Sequence, residues 1–279
     1  MKDQDWDTII TSKSKSLVFS EIYKYKYLIY LFFKRDFVIF YKQTILGPLW
    51  YIIQPVINTV VFTIIFGKLA KIPTDGVPPF IFYMAGSIIW GYFATCLVST
   101  SKIFVENSSI FGKVYFPRLV VPIAMIGNSF LQFLIQFFIF FIFFIYFSID
   151  NGDIFLNYKI IYLPFLILYC SIIGLAFGLL FSSFTAKYRD LSFVLGFGVQ
   201  IWMFITPVVY PLSLIPENYK LFVLLNPMTT VVELFKSIFF NTYSISFFDF
   251  VISFIVSLII LCFGFLRFMK TERNFIDTV

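Results

Sequence analysis

The sequence predicts an all-α polytopic membrane protein, with six transmembrane helices preceded by an amphipathic helix that lies on the bilayer. Three observations carry this. Of 279 residues, 60% are hydrophobic and only 13% charged, whereas soluble chains run near half apolar and a quarter charged. The apolar residues fall into blocks of about 20 or more, the length that crosses a hydrocarbon core of ~30 Å. The basic residues divide unequally between the two sides of the resulting topology, which orients it.

Residues 1–15 are polar and mixed in charge, so a cytoplasmic tail without a signal peptide is expected there. Residues 16–46 read as an interfacial helix. At 100° per residue Lys24, Arg35 and Lys42 fall on one side and Ile22, Ile29, Phe33 and Phe40 opposite. Leu28, Leu31 and Val38 crowd the basic side, which a helix with snorkelling lysines tolerates. The alternative, a first span around Tyr27–Phe33, leaves too short an apolar core between Lys24, Lys26 and Lys34-Arg35-Asp36. Arg35, Asp36 and Lys42 are the charged residues expected to matter on this helix.

Residues 47–268 form the expected six-span domain. The spans are placed near 47–66, 80–99, 117–147, 160–186, 191–206 and 248–268, with a second cytoplasmic tail at 269–279. The third, of about 30 residues, exceeds the bilayer and is expected to tilt or project. With both termini on one side, that side holds sixteen Lys and Arg against five on the other, placing both ends in the cytoplasm. Between spans 5 and 6, Pro207, Pro211, Pro216 and Pro227 interrupt apolar pieces too short to span. Such pieces read as re-entrant half-helices on the outer side, or as an external loop with a surface helix.

Chemistry is sparse. There is no histidine, and the three cysteines sit inside apolar runs, as small core residues do. No phosphate-binding Gly-x-x-x-x-Gly-Lys-Ser/Thr loop occurs, and no catalytic pair or metal set stands out, so nothing in the residues marks the chain as an enzyme. Glu233 lies within an apolar segment, where an ionisable group needs a partner or water. Lys236 at i+3 supplies a local ion pair, and an outer gate is the sharper reading. Tyr51, Trp90, Trp202 and Tyr210 lie near span ends, as in an interfacial aromatic belt, or as flat faces lining a channel on which sugar rings stack. Gly174-x-x-x-Gly178 permits close helix approach, within the chain rather than at a dimer seam.

Four blocks in order carry a resemblance. They are Arg35-Asp36 with Tyr41-Lys42-Gln43-Thr44-Ile45-Leu46-Gly47-Pro48-Leu49-Trp50 and Gln54-Pro55; Lys113-Val114-Tyr115-Phe116-Pro117-Arg118; Lys187-Tyr188-Arg189-Asp190-Leu191; and Thr206-Pro207-Val208-Val209-Tyr210-Pro211 with Asn226-Pro227-Met228. From about residue 20 onward the chain resembles type-2 ATP-binding-cassette permeases that export O-antigen, capsule or teichoic acid. The resemblance implies a homodimer joined to two separate ATPase subunits. These would bind the ATP and Mg, leaving no cofactor in this chain, and the cargo would be a lipid-linked polysaccharide crossing the inner (plasma) membrane, with no nucleic acid involved. It also makes the segment from Ser101 to Phe116 the coupling helix seated in an ATPase groove. Lys102, Glu106, Asn107, Ser109 and Lys113 would form its polar rim, and Ile103, Phe104, Val105, Ile110 and Phe111 its apolar anchors. A helix resting on lipid explains the apolar set equally well. A drug or small-lipid exporter fits the spans but not the Phe116-Pro117-Arg118 block. A membrane glycosyltransferase or polymerase would need a large external loop with paired carboxylates.

Overall fold

The computed structural model describes residues 22–42, 47–111, 113, 116–151, 158–241 and 245–276, and no strand occurs among them. The expected N-terminal tail, the start of the interfacial helix and residues 43–46 lie outside the described residues.

Helix α1 (Lys26–Lys42) is followed by a turn at Gly47, whose φ is +49°. That left-handed conformation suits glycine and costs other residues about 1–2 kcal/mol. A 3-10 turn (Gly47–Leu49) leads into α2 (Trp50–Phe62), which widens into a π-type turn over Thr63–Leu69. Pro55 stands inside α2. One turn on, the Thr59 hydroxyl donates to the Pro55 carbonyl, and the Thr63 hydroxyl to that of Thr59, at 2.7 Å each.

Helix α3 (Pro79–Ser101) is the buried axis of the bundle. It ends in two single turns, α4 (Ile103–Glu106) and α5 (Ser108–Phe111), hinged at Asn107. Next come α6 (Val120–Asn151), then α7 (Leu163–Thr185), entered through a 3-10 turn at Tyr158–Tyr162. Gly174 and Gly178 explain how α7 lies on α3. A Cβ at either would stand 2.6 Å from Cys96 Cβ or 2.5 Å from Thr100 Cβ, so these glycines seat a helix pair within the chain. Phe133, Phe140 and Phe144 of α6 are buried in the same core, Phe133 packing on Tyr92 of α3 and the other two on Phe239.

Helix α8 (Leu191–Ile205) departs from expectation. Its 15 residues span about 22 Å at 1.5 Å per residue, short of a bilayer core. It stops because Pro207 restricts the preceding residue to extended backbone, and Thr206 sits at φ −86°, ψ 144°. Among the described residues five helices are long and apolar enough to cross, and a sixth crossing arises only if the bent pair α9 (Glu217–Leu224) and α10 (Pro227–Phe240) counts as one. That pair turns by 101° at Asn226, whose side chain accepts from the Met228 N–H at 3.1 Å and caps α10. Helix α11 (Phe247–Ile276) runs on through the stretch expected as a tail.

A second core cluster joins the α1 end of the bundle. Phe32 of α1, Ile103, Phe104, Phe111, Phe116 and Phe268 of α11 are all buried in it. Arg118 locks it, donating from Nη1 to the Glu272 carbonyl at 2.8 Å while its guanidinium lies over Phe111.

Candidate functional site

Polar groups gather at each end of this apolar bundle. At the α1 end a cavity of about 790 Å³ opens between α1, α2, α3, α6 and α8. Gln54, Thr95, Ser99, Asn128, Gln132 and Gln200 give it amide and hydroxyl walls, Trp50 and Tyr51 add ring faces, and Asp36, Lys102 and Glu106 stand among its charged lining. Both amide atoms of Asn128 are buried with no hydrogen-bond partner among the described residues. A buried amide left so costs about 1–3 kcal/mol, which water or a ligand in the cavity would relieve.

The cavity collects residues that the sequence reading had assigned to separate roles. Arg35 Nε holds Asp36 Oδ1 at 2.7 Å, and Arg35 Nη2 donates to Asn107 Oδ1 at 3.2 Å, tying α1 to the α4–α5 hinge. Asn107 is therefore a buried tie, not a rim residue. Glu106, Ser109 and Lys113 are exposed, and Lys102 is half-buried. Loss of water beside the cavity pushes the Glu106 carboxyl above its usual 4.5; Lys102 and Arg35 oppose this and Asp36 adds to it. Of the five expected anchors, Ile103, Phe104 and Phe111 are sealed in this chain's own second core. Only Val105 and Ile110 stay partly open to a partner. Their burial at home is a correction: α1 and α11 fill the role expected of a partner's groove. Lys42 is exposed in the last turn of α1.

At the opposite end Glu233 and Lys236 pair on α10 at 3.5 Å. The shorter contact of Lys236 is elsewhere. Its Nζ donates to the Pro207 carbonyl at 2.6 Å and sits 3.9 Å from the Phe82 ring centroid, a desolvated cation–π contact worth up to ~2 kcal/mol. The loop that Lys236 holds rests directly on α3, where a Cβ on Gly86 would stand 2.7 Å from the Val208 carbonyl. Asn226 Nδ2 reaches Thr206 Oγ1 at 2.8 Å, and Ser213 donates to Asp75, so three segments at this end are bound together.

Residues 27–240, which carry the buried axis, the interrupted helix pair and the lining of the cavity, match a family model for ABC-2 type transporters. The chain belongs to the ABC-2 type transporter family. Relatives similar to it include a Myxococcus xanthus protein named O-antigen export system permease protein RfbA, 24% identical over 79% of this chain and 83% of its own. Two Klebsiella pneumoniae proteins of the same name are 22% and 23% identical, each over 74% of this chain and 78% of its own.

In this ABC-2 chain the four sequence-selected aromatics do not form one surface. Trp90 is buried and meets Trp202 edge-on at 6.0 Å, and Trp202 also packs on Phe93 and Phe177 at 5.3 and 4.8 Å. These rings rivet α8 to α3 and α7. Tyr210 donates to the Ile205 carbonyl at 2.9 Å, closing the end of α8. Tyr51 alone lies on the cavity. The sequence reading missed Asn128, Gln132 and Gln200 as site residues; the available signal was amides recurring inside otherwise apolar spans.

Proposed function

We propose that this ABC-2 chain is the permease subunit of an exporter that moves a lipid-linked polysaccharide from the cytoplasm across the inner (plasma) membrane. It works as two copies with two ATPase subunits, which bind ATP and Mg. The observation that carries the cargo class is the cavity. Amides and hydroxyls paired with ring faces suit sugars, whose hydroxyls hydrogen-bond and whose flat faces stack. The names of the relatives support the same class.

The basic-residue count puts the α1 end, both termini and α4–α5 in the cytoplasm. There the exposed Glu106, Ser109 and Lys113 form the face offered to the ATPase, and the Arg35–Asn107 bond passes its motion to α1 and the cavity mouth. The pairing of copies is supported by Asn58, exposed on the sparsely buried α2 and outside the cavity lining. Amides facing lipid are costly, whereas a second copy or a wet path would satisfy them. Glu233 and Lys236 then close the outer end.

The test is depletion of the chain followed by analysis of the cytoplasm. A lipid-linked sugar polymer accumulates if the reading is right, and the same ATPase subunit co-purifies with the native chain. Accumulation of no polymer, or export unaffected, overturns it. Charge reversal at Glu106 (Glu106→Lys) should lose the ATPase or uncouple its hydrolysis from export while the chain still inserts.

A further inference from the structure

A second pocket, of about 300 Å³, shares no lining residue with the cavity and lies between the end of α7 and the last turns of α11. Its lining is strongly one-signed. Lys187, Arg267 and Lys270 are all exposed on it, and none has a carboxylate partner among the described residues. Glu272, close by in sequence, is turned away to Arg118. The hydroxyls of Ser183 and Thr271, also on the lining, already donate to the Leu179 and Arg267 carbonyls. Recognition would therefore rest on the cations.

The geometry builds the pocket rather than leaving it to chance. Gly264 brings α11 against α7, with a built Cβ only 2.6 Å from the Ala176 carbonyl. About two and a half turns beyond Ala176 α7 ends, where Thr185 donates to the Ser101 carbonyl, while α11 continues. The wedge between them opens at the level where the apolar spans give way, the depth of lipid headgroups. Beside it lies an exposed apolar wall: Phe184 and Tyr188 on one flank, Phe263 and Leu266 on the other.

We infer that this wedge binds an anionic phospholipid, its phosphate held by Lys187, Arg267 and Lys270 and its acyl chains laid along Phe263 and Leu266. Basic pockets between membrane helices on the cytoplasmic side favour such headgroups, and a guanidinium takes phosphate oxygens in two parallel bonds. A soluble phosphate would meet the same cations. The apolar wall leading away from them is what assigns the site to a lipid.

The test is native mass spectrometry of the full chain extracted in mild detergent. It is titrated with phosphatidylglycerol or phosphatidylcholine of identical chains, with and without excess glycerol phosphate. Phosphatidylglycerol should be retained preferentially, and glycerol phosphate should displace it poorly. Each of Lys187→Gln, Arg267→Gln and Lys270→Gln should weaken the preference roughly fivefold, and the triple variant should abolish it. Equal retention of the two lipids, an undiminished preference in the triple variant, or full displacement by glycerol phosphate overturns the inference. So does loss of the preference when the ATPase subunit binds, which would assign the face to that protein. Should the triple variant fail to fold, Phe184→Trp in the otherwise native chain reports instead. Its added fluorescence should be quenched more by brominated phosphatidylglycerol than by brominated phosphatidylcholine, and equal quenching counts against the site.

Discussion

At the α9–α10 end Lys236 is 1% exposed and divides its charge among a carboxylate, a carbonyl and an aromatic face; at the α1 end Asn128 buries an amide with no partner among the described residues. The contrast is one of charge and amide pairing, since the buried hydroxyls of Tyr83 on α3 and Thr230 on α10 have no partner among the described residues either. A seal is stable when its buried polar groups answer one another, because each unanswered group carries a desolvation cost. A surface that must hold and release cargo needs donors and acceptors that the protein itself has not consumed. On the function proposed above, the α9–α10 end acts as a seal and the α1 end as a receiving surface, and both hang on the same α3–α7 axis.

The largest expected effect breaks the seal. Lys236→Met leaves Glu233 buried without its cation, which should cost about 3–5 kcal/mol of stability, measured as a fall in thermal or denaturant resistance of the purified chain. Replacing both residues by apolar ones should recover most of that loss. A loss below 1 kcal/mol for the single variant would mean that Glu233 finds water there and the end is open.

Next comes the shared axis. Gly178→Leu must push α7 off α3, since even a Cβ would meet Thr100 at 2.5 Å. Overpacking of this kind costs about 1–3 kcal/mol, and both ends should loosen together, read as hydrogen exchange at α10 and at α4–α5. Exchange confined to one end would show that the two regions are not coupled through this seam.

A smaller change sharpens the receiving surface. Asn128→Leu removes the unanswered amide, so stability should hold or rise by about 1 kcal/mol while polymer export falls. Falling stability with unchanged export would make Asn128 a packing residue.

The smallest effect concerns pH. Burial raises the folded-state pKa of Glu106 above 4.5, so the folded chain holds this proton more tightly than the unfolded one. Its stabilising contribution is full below the unfolded value and is lost as pH rises through the folded value. Glu106→Gln, which cannot ionise, should therefore gain on the native chain above that window and show no advantage at lower pH. The gain stays under ~1 kcal/mol because Glu106 is exposed and solvent screens it. A native chain that gains stability relative to the variant on going from pH 4 to pH 7 would reverse the sign.

Some of this was legible in residue order. Run length placed the spans near 47–66, 80–99, 117–147 and 160–186, because crossing a bilayer sets a minimum of apolar residues whatever the neighbours. The i, i+3 spacing placed Lys236 beside Glu233, since helix geometry makes them neighbours. The end of α8 was written in Thr206-Pro207. Less legible was which apolar residues serve a partner: Ile103, Phe104 and Phe111 have the composition of anchors, and only the arrival of Phe32 and Phe268 from distant helices shows them already covered.

By itself, then, the sequence determined the membrane class, the helical elements and the breaks between them, all of which depend on local backbone chemistry and on the bilayer as solvent. The tertiary structure decided what no local rule reaches. It turned α9 against α10 by 101° and brought Pro207 and Phe82 to Lys236. It also gathered a cavity from α1, α2, α3, α6 and α8. The physical reason is the same in each case: a helix's apolar pattern fixes that it is buried in membrane or protein, but the face it turns to each neighbour follows from close contacts such as Gly174 on Cys96 and Gly86 on Val208, which exist only once the chain has packed.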